Sequence, residues 1–244
     1  VHSEEYIYKI NNLSLDKDEI RKLGFPLVKS VRRRSFVATG GTVLASKLAV
    51  KHKLACNTAG GSHHAFSNQG NGYCVFNDVA VATSYLKKKY KYKKILILDL
   101  DVHQGDGTAK IFESDDSVFT VSIHSKKNYP SKKQSSNIDI ELEDGIKDEE
   151  YLNIVNQLLQ KIGDFQFDFV FYVAGVDVHF EDRLGKLNIT ETGIRKREEL
   201  VINNFYKKNI PLCGVLGGGY NHNFEQLVNL HSILHETCKK ILEN

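Results

Sequence analysis

The sequence predicts a single three-layer α/β domain, in which helices cover both faces of a mainly parallel central sheet. Apolar runs bounded by polar or glycine-rich turns recur along the chain and are typical of buried strands. Segments with helical periodicity lie beside these runs, and this alternation of strand and helix favours a parallel sheet covered on both sides. Since no repeat, linker or low-complexity tract divides the 244 residues, we expect one domain over residues 1–244.

The strands and helices can be placed in order along the chain. Five short apolar runs are predicted as strands: 54–57, 94–101, 118–124, 167–177 and 211–220. Five segments with apolar residues at helical spacing are predicted as helices: 41–52, 77–90, 148–162, 190–207 and 222–241. In such sheets ligands bind beyond the carboxyl ends of the strands. Three ionisable or glycine-rich stretches lie at those ends and are expected to meet in one crevice: DLDVHQGDG (99–107), AGVD (174–177) and GGGY (217–220).

The composition narrows the class of protein. The apolar content of 41% suffices for a core, and a formal net charge of +3 is far from the basic character of a nucleic-acid-binding domain, so no nucleic acid is expected. The basic runs 32–34 and 87–94 are interpreted as solvated helix surface. No apolar stretch approaches the roughly 20 residues of a membrane span. The cysteines form no CxxC pair and are expected to be reduced thiols of a cytoplasmic protein: Cys56, Cys74, Cys213 and Cys238.

The stretch ILILDLDVHQGDG (95–107) ends a buried strand with ionisable residues. If the strand continues, Asp99, Asp101 and His103 point to one side, because side chains alternate along a strand. Buried carboxylates without partners are costly, so a cation or a hydrogen-bonded network is expected beside them.

A metal site is the favoured interpretation of these strand ends. Asp101, His103 and Asp177 offer two carboxylates and an imidazole, a donor set that suits zinc and leaves one position open for water or substrate. The DxD pattern alone is a weak signal, because Asp99 and Asp101 would also serve as helix caps or as Mg²⁺ ligands.

Two adjacent histidines, His63 and His64, lie in a glycine-rich loop after the first predicted strand. Such a pair alone is more often structural than catalytic, but here four further motifs accompany it. In order and spacing the five motifs resemble those of the zinc-dependent histone deacetylase family of the arginase/deacetylase superfamily: GGSHHA (60–65), GNGYCVFND (70–78), DLDVHQGDG (99–107), AGVDVHFEDRLG (174–185) and GGGY (217–220). VSIHSKKNYP (121–130) and ITETGIRKREELV (189–201) are most similar to class IV and related bacterial members. Family members carry a further segment upstream, which this chain is expected to lack.

The resemblance implies a set of functional residues and cofactors. It implies the arginase/deacetylase fold and one zinc ion per chain, held by Asp101, His103 and Asp177. It implies two catalytic histidine–carboxylate pairs and a catalytic tyrosine: His63 with Asp99, His64 with Asp106, and Tyr220. It implies a channel for the stem of an acyl-lysine, lined by Gly72, Tyr73, Tyr129 and Leu184. It further implies a K⁺ ion near the zinc, held by Asp99, Asp101, His103, Ser122 and Ile123.

The implied reaction is hydrolysis of an N-acyl amide. The zinc ion would polarise the acyl carbonyl and lower the pKa of bound water. A carboxylate on one ring nitrogen raises the basicity of the other nitrogen, so His64 is expected to be the main base and acid and His63 its electrostatic partner. Tyr220 would donate its phenolic hydrogen to the developing oxyanion.

Other functions stay open at this point. Hydrolysis of acetylpolyamines would use the same core, and a non-catalytic scaffold would bind acylated ligands without turnover, although the retained Tyr220 and both histidines argue against it. A two-metal, arginase-like hydrolase is less favoured, because His63 and His64 occupy positions where further metal ligands would be needed. The segment LGFPLVKSVRRRSF (23–36) lacks the rim aspartate that often grips peptide substrates in the family. Acylated lysines and acylated small amines are therefore both candidate substrates, and the acyl length and oligomeric state are not predicted.

Overall fold

A six-stranded parallel sheet organises the chain, of which the computed structural model describes residues 1–243. The strands are Leu54–Cys56 (β1), Ile95–Asp99 (β2), Val118–Ser125 (β3), Ile138–Leu142 (β4), Phe169–Val173 (β5) and Leu212–Val215 (β6). Their order across the sheet is β1-β6-β5-β2-β3-β4, and every neighbouring pair runs parallel. The sequence prediction of a mainly parallel sheet is confirmed.

Helices cover both faces of this sheet. Within the described residues they are Glu4–Asn12 (α1), Lys17–Leu23 (α2), Lys29–His52 (α3), Asp78–Tyr90 (α4), Asp106–Phe112 (α5), Asp148–Lys161 (α6), Glu191–Lys207 (α7) and Phe224–Glu243 (α8). α3, α4 and α5 contribute to one apolar cluster, whereas α6, α7 and α8 contribute to another on the opposite face. No helix within residues 1–243 is long and apolar enough to cross a membrane.

The position of β2 inside the sheet explains why its sequence is apolar from Ile95 to Leu98. Leu96 and Leu98 belong to the cluster of α6–α8, while Ile95 and Ile97 belong to the cluster of α3–α5. Because successive side chains point to opposite faces, a strand covered on both faces needs apolar residues at every position. The predicted three-layer arrangement is therefore confirmed.

The strand order positions a crevice at the end of β2. From β2 the chain moves to β3 on one side, and later it enters β5 on the other side and continues to β6. Parallel sheets bind ligands at such a switch point. Asp99, the last residue of β2, lies between Ser122 of β3 and Val173 of β5 in the register.

Several strands end earlier than predicted, and this changes how the site residues after β2 are positioned. β2 ends at Asp99, so Asp101 and His103 lie in the loop that follows. The expectation that strand alternation aligns these three side chains is wrong, because the loop backbone and not the pleat brings them together. β5 and β6 likewise end before the AGVD and GGGY stretches, which form the following loops.

Some elements escaped the sequence prediction. α3 begins at Lys29 and not near residue 41, and α1, α2, α5 and β4 were not predicted. β4 contributes mostly half-buried and exposed positions at the sheet edge, so its sequence lacks an apolar run. α1 and α2 form a separate small core, with Tyr6, Ile10 and Leu23 packed near Phe76. This core fixes the N-terminal helices beside the loop that carries His63 and His64.

Candidate active site

Three side chains from two loops converge at the switch point. Asp101 and His103 follow β2, and Asp177 follows β5; all three are buried, and their ligand atoms lie within 4.8 Å of one another. Nδ1 of His103 lies 3.1 Å from Oδ1 of Asp101 and 3.1 Å from Oδ2 of Asp177. These are the three residues that the sequence analysis assigned to zinc, and the fold brings them together.

Backbone groups orient both carboxylates. The amide of Gly218 donates to Oδ2 of Asp101 at 2.6 Å, and the amide of Val102 donates to Oδ1 of Asp177 at 2.9 Å. A Cβ atom at Gly218 would lie 2.1 Å from Oδ2 of Asp177. The loop after β6 can therefore approach the two carboxylates only because this position has no side chain.

The electrostatics of this cluster suit a cation. Burial and the adjacent Asp101 carboxylate raise the pKa of Asp177 to about 7. Burial also opposes ionisation of Asp101, but the charges of His63 and His103 outweigh it and hold the pKa of Asp101 well below its usual value. Two buried carboxylates this close repel each other, and a divalent cation removes that repulsion. The donor set of two carboxylates and one imidazole therefore fits a zinc ion with an open coordination position.

Two histidine–carboxylate pairs lie next to the cluster. Nδ1 of His63 donates to Oδ2 of Asp99 at 2.6 Å, and Nδ1 of His64 donates to Oδ1 of Asp106 at 2.5 Å. All four side chains are buried, and the two imidazole rings lie 4.1 Å apart between centroids. In each pair the carboxylate leaves Nε2 of the ring as the nitrogen available to other groups.

The loops that carry these pairs fit closely together. Asp106 is the first residue of α5, and the amide of Thr108 donates to the carbonyl of His63 at 3.0 Å. A Cβ atom at Gly107 would lie 2.4 Å from the carbonyl oxygen of Ala65. The GDG sequence thus lets the first turn of α5 contact the histidine loop directly.

The environments of the two histidines push their pKa values apart. Burial lowers the pKa of His63, but the Asp99 and Asp101 carboxylates outweigh it and raise the value to about 9. Burial and the neighbouring His63 lower the pKa of His64 to about 4, against the influence of Asp106. His64 is therefore the neutral member of the pair at pH 7, and a neutral imidazole can accept a proton.

A cavity of about 310 Å³ opens beside the cluster. His64, His103 and Tyr220 line it together with the four residues assigned to the channel, Gly72, Tyr73, Tyr129 and Leu184. The ring of Tyr220 lies 6.1 Å from that of His103, and the ring of Tyr129 lies 4.8 Å from that of His64, between centroids. Burial and then Asp101 raise the pKa of Tyr220, so its hydroxyl stays protonated and can donate.

The backbone at Gly72 and Tyr73 is unusual. Gly72 has a φ of 49° and Tyr73 a φ of 66°, both in the left-handed region. A Cβ atom at Gly72 would lie 2.7 Å from the ring of His64 and 2.9 Å from the ring of Tyr129. A glycine is therefore needed where the cavity wall meets His64.

The residues assigned to K⁺ come from β3 and from the end of β2 with the loop that follows it. Ser122 and Ile123 belong to β3, and Ser122 pairs with Asp99 in the register. The Ser122 hydroxyl lies 2.9 Å from Nδ1 of His124. Asp99 ends the neighbouring strand β2, and Asp101 and His103 lie in the loop that follows it, so the assigned residues come from adjacent segments.

Sequence reasoning missed a buried ion pair beneath the site. Nη1 of Arg197 donates to the carbonyls of Gly175 at 2.8 Å and Leu100 at 3.3 Å, and Nη2 donates to Glu198 at 2.6 Å. Arg197 therefore fastens the two loops that carry the three clustered side chains. The signal was present, because Arg197 and Glu198 fall on the apolar face of α7 between Ile194 and later core residues.

The residues at the mouth of the cavity were not predicted from the sequence either. Arg21, Lys22 and Gly24 at the end of α2 line it, as does Asn128 from the loop after β3. Nδ2 of Asn128 donates to the carbonyl of Leu184 at 2.7 Å. The sequence did contain a signal for α2, since Asp16 and Glu19 form a capping box and Gly24 ends the helix.

Comparisons with known proteins agree with this fold and site. A family model for the histone deacetylase domain matches residues 1–233. The chain is 45% identical over 242 residues to an uncharacterized protein of Picosynechococcus sp., with 99% of this chain and 81% of that protein covered.

Relatives with named functions are more distant. The chain is 35% identical to Histone deacetylase 2 of Arabidopsis thaliana over 74% of its own length and 48% of that protein. It is 29% identical to the acetoin utilization protein AcuC of Staphylococcus aureus over 91% of its own length and 63% of that protein. It thus spans about half of the first and less than two thirds of the second.

A crystal structure of a histone deacetylase homologue from Aquifex aeolicus shares the fold. It superposes with a TM-score of 0.78 at 25% sequence identity, over 100% of this chain and 73% of that chain. The family match over residues 1–233, together with the shared fold, shows that this chain belongs to the histone deacetylase family.

Proposed function

We propose that the chain is a zinc-dependent amidohydrolase that removes an acetyl or longer acyl group from an N-acyl-lysine. One observation carries the proposal: a single cavity is lined by His64, His103 and Tyr220, while Asp101 and Asp177 lie in contact with His103. These are a proton acceptor, a set of ligands for one metal ion and a hydrogen-bond donor, the groups that metal-assisted hydrolysis of an amide needs.

One zinc ion per chain would be held by Asp101, His103 and Asp177. A bound zinc ion would supply Lewis acidity, which polarises the acyl carbonyl and makes water a stronger acid. The chain itself orients the metal ligands. The amide of Gly218 holds the Asp101 carboxylate and the amide of Val102 holds the Asp177 carboxylate, which leaves lone pairs of both carboxylates for a metal ion.

His64 is proposed as the base and acid of the reaction. Its ring lines the cavity, whereas His63 does not, and Asp106 holds its Nδ1. It would accept a proton from the attacking water and return that proton to the leaving amine of lysine. His63 would act through its charge, because the Asp99 carboxylate on its Nδ1 favours the protonated ring next to His64.

Tyr220 is proposed as the donor to the oxyanion. Its position is set by the backbone, since its amide donates to Oδ2 of Asp182 at 2.6 Å and its carbonyl accepts from Arg183 at 3.0 Å. A fixed donor of this kind stabilises the negative charge that develops on the acyl oxygen.

The cavity suits the stem of an acyl-lysine. Tyr73 and Tyr129 present aromatic rings to it, and Leu184 adds an apolar wall. Gly72 leaves room between the rings of His64 and Tyr129. Aromatic walls bury the methylenes of a lysine, while its acyl group meets the polar floor. Because two sequence stretches, VSIHSKKNYP (121–130) and ITETGIRKREELV (189–201), resemble class IV members, we include longer acyl chains in the proposal.

We propose three further properties of the chain: a monovalent cation site, a single domain and a location in the cell. A K⁺ ion would be held near the zinc by Asp99, Asp101, His103, Ser122 and Ile123, and its charge would balance the buried carboxylates. We infer that residues 1–244 act as one domain. The four free cysteines support a cytoplasmic location, because reduced thiols are typical of that compartment.

The proposal is tested with fluorogenic acetyl-lysine and long-chain acyl-lysine substrates, each assayed with and without added Zn²⁺. We expect zinc-dependent turnover, and the preferred acyl chain defines the depth of the pocket. Exclusive turnover of acetylated polyamines would replace the acyl-lysine assignment with polyamine hydrolysis. Absence of turnover from zinc-loaded protein on all of these substrates would contradict the enzymatic proposal and favour a binding scaffold.

A further inference from the structure

The mouth of the cavity is basic. Within the described residues, Arg21 and Lys22 line it from the end of α2, and both side chains are exposed. Arg183, also exposed, precedes the lining residue Leu184 on the loop after β5. Two cations therefore line the entrance to the cavity proposed for the acyl-lysine, which we call the slot. A third, Arg183, lies beside it, since its Nε donates to the carbonyl of the lining residue Tyr220 at 3.0 Å.

The carboxylates nearby are already engaged. Asp182 accepts hydrogen bonds from three backbone amides, those of Leu184, Gly185 and Tyr220. Asp18 pairs with Arg21 at 3.2 Å, and both of these side chains are highly exposed, so the pair is screened by water. Within residues 1–243, Nζ of Lys22 donates to the uncharged side chain of Gln69 at 3.0 Å and forms no ion pair, although the Asp16 carboxylate that caps α2 interacts with its charge.

The basic residues are held in a fixed position relative to the slot. The amide of Gly72 donates to the carbonyl of Lys22 at 3.2 Å, and the amide of Tyr73 donates to the carbonyl of Leu23 at 2.9 Å. The ring of Tyr73 covers Gly24, where a Cβ atom would lie 2.7 Å from it. Since Gly72 and Tyr73 are themselves slot residues, the end of α2 is part of the slot wall and not an independent surface.

We propose that this basic mouth selects acyl-lysine residues flanked by aspartate or glutamate, through Arg21, Lys22 and Arg183. Complementary charge at the rim of a binding site mainly favours the correct partner and repels the wrong one. The same cations disfavour polycationic substrates such as acetylated polyamines. This inference rests on the proposed deacylase function and specifies its substrate class.

Basic residues in the last turn of a helix also stabilise the helix dipole, and the experiment has to separate that role from substrate selection. α4 provides the matched control, because Lys88 and Lys89 occupy its last turn as Arg21 and Lys22 occupy that of α2. The double variants R21E/K22E and K88E/K89E change the net charge equally. R21Q/K22Q removes the two charges without reversing them and replaces R21E/K22E if that variant does not fold.

The test uses acetyl-lysine peptides of equal length with acidic, neutral or basic flanks. On the wild-type enzyme we expect kcat/KM for the acidic peptide to exceed that for the basic peptide by about tenfold in about 0.01 M salt, and the ratio to fall toward one in about 1 M salt. R21E/K22E should abolish or invert the ratio, and K88E/K89E should retain it. Equal kcat/KM values for all flanks at low salt, or an unchanged ratio in R21E/K22E, would overturn the inference.

Binding of the same peptides, labelled with a fluorophore and measured by anisotropy, separates this inference from the proposed function. If no peptide is hydrolysed, the deacylase proposal fails, but tighter binding of the acidic peptide that is lost in R21E/K22E still supports the basic mouth. If all peptides are hydrolysed and bound equally, the deacylase proposal stands and the inference fails.

Discussion

Nδ1 of His64 lies 2.5 Å from Oδ1 of Asp106, and this contact joins the loop after β1 to the first residue of α5. Both side chains are buried, but only the His64 ring also lines the cavity. The carboxylate therefore acts on the reacting atoms through the ring that it orients.

Replacing Asp106 with asparagine tests this relationship. We expect Asp106→Asn to lower kcat by about 10- to 100-fold, because the amide neither fixes the tautomer of His64 nor raises its basicity. The pH dependence of kcat should shift as well, which a purely structural role would not produce. The exposed Asp164→Asn serves as the control, and an unaltered kcat in Asp106→Asn would remove Asp106 from the mechanism.

Tyr220→Phe removes one hydroxyl and leaves the ring. We expect kcat to fall by about 100- to 1000-fold with little change in thermal stability, because the lost donor contributes only when charge develops on the acyl oxygen. Tyr8→Phe removes a hydroxyl from an exposed tyrosine on α1 and should leave kcat unchanged. A kcat in Tyr220→Phe within about threefold of wild type would contradict the assignment, because it corresponds to a change of only about 0.7 kcal/mol in activation free energy.

Gly72→Ala places a methyl group between the rings of His64 and Tyr129. We expect loss of most activity and a free energy of unfolding lower by about 1 kcal/mol or more, since the φ of 49° also disfavours alanine. Gly40→Ala is the matched control, because Gly40 lies within α3 and a Cβ atom there would meet nothing within 4 Å. That variant should be more stable by about 0.5–1 kcal/mol, and equal effects of the two substitutions would contradict the account of the slot.

His231 on α8 predicts a dependence of stability on pH. Burial lowers its pKa to about 4, against the influence of Asp101, and its Nδ1 has no hydrogen-bond partner within residues 1–243. In the unfolded chain the His231 imidazole takes up a proton near pH 6.5, whereas in the folded chain it does so only near pH 4. The contribution of neutral His231 to stability is therefore present above pH 6.5 and is lost as the pH falls toward 4. The shift of the pKa from 6.5 to about 4 limits this loss to about 3 to 4 kcal/mol.

Thermal unfolding of His231→Gln between pH 4 and 7 tests this prediction, with the exposed His222→Gln as control. The melting temperature of the His231 variant should fall less with acidification than that of wild type, because one buried group no longer takes up a proton. Parallel pH profiles for the wild type and His231→Gln would show that His231 does not titrate in this way.

The sequence predicts the architecture well where apolar runs are continuous. β2 and β5 are covered on both faces, and their runs predicted buried strands correctly. β4 has half-exposed alternating residues at the edge and α5 has only seven residues, so neither carries a strong pattern. Strand ends were predicted poorly, because Leu100 and Val102 are buried although they lie in a loop.

The candidate site was predicted mainly by motif. The spacing of Asp101, His103 and Asp177 at strand ends indicated a cluster, and the fold brings their ligand atoms within 4.8 Å. Residues that act through long-range contacts were missed: Arg197 holds the carbonyls of Leu100 and Gly175, which are 75 positions apart in the numbered sequence. No local pattern encodes such a contact.

The central claim is one catalytic zinc ion per chain, and a metal titration tests it most directly. Metal-free protein is titrated with Zn²⁺ while bound metal and hydrolysis of acetyl-lysine are measured on the same samples, beside Asp101→Asn and Asp177→Asn. We predict that activity rises in proportion to bound zinc and levels off at one ion per chain, and that both variants fail to bind zinc. Full activity without metal, or a requirement for two divalent ions per chain, would contradict it.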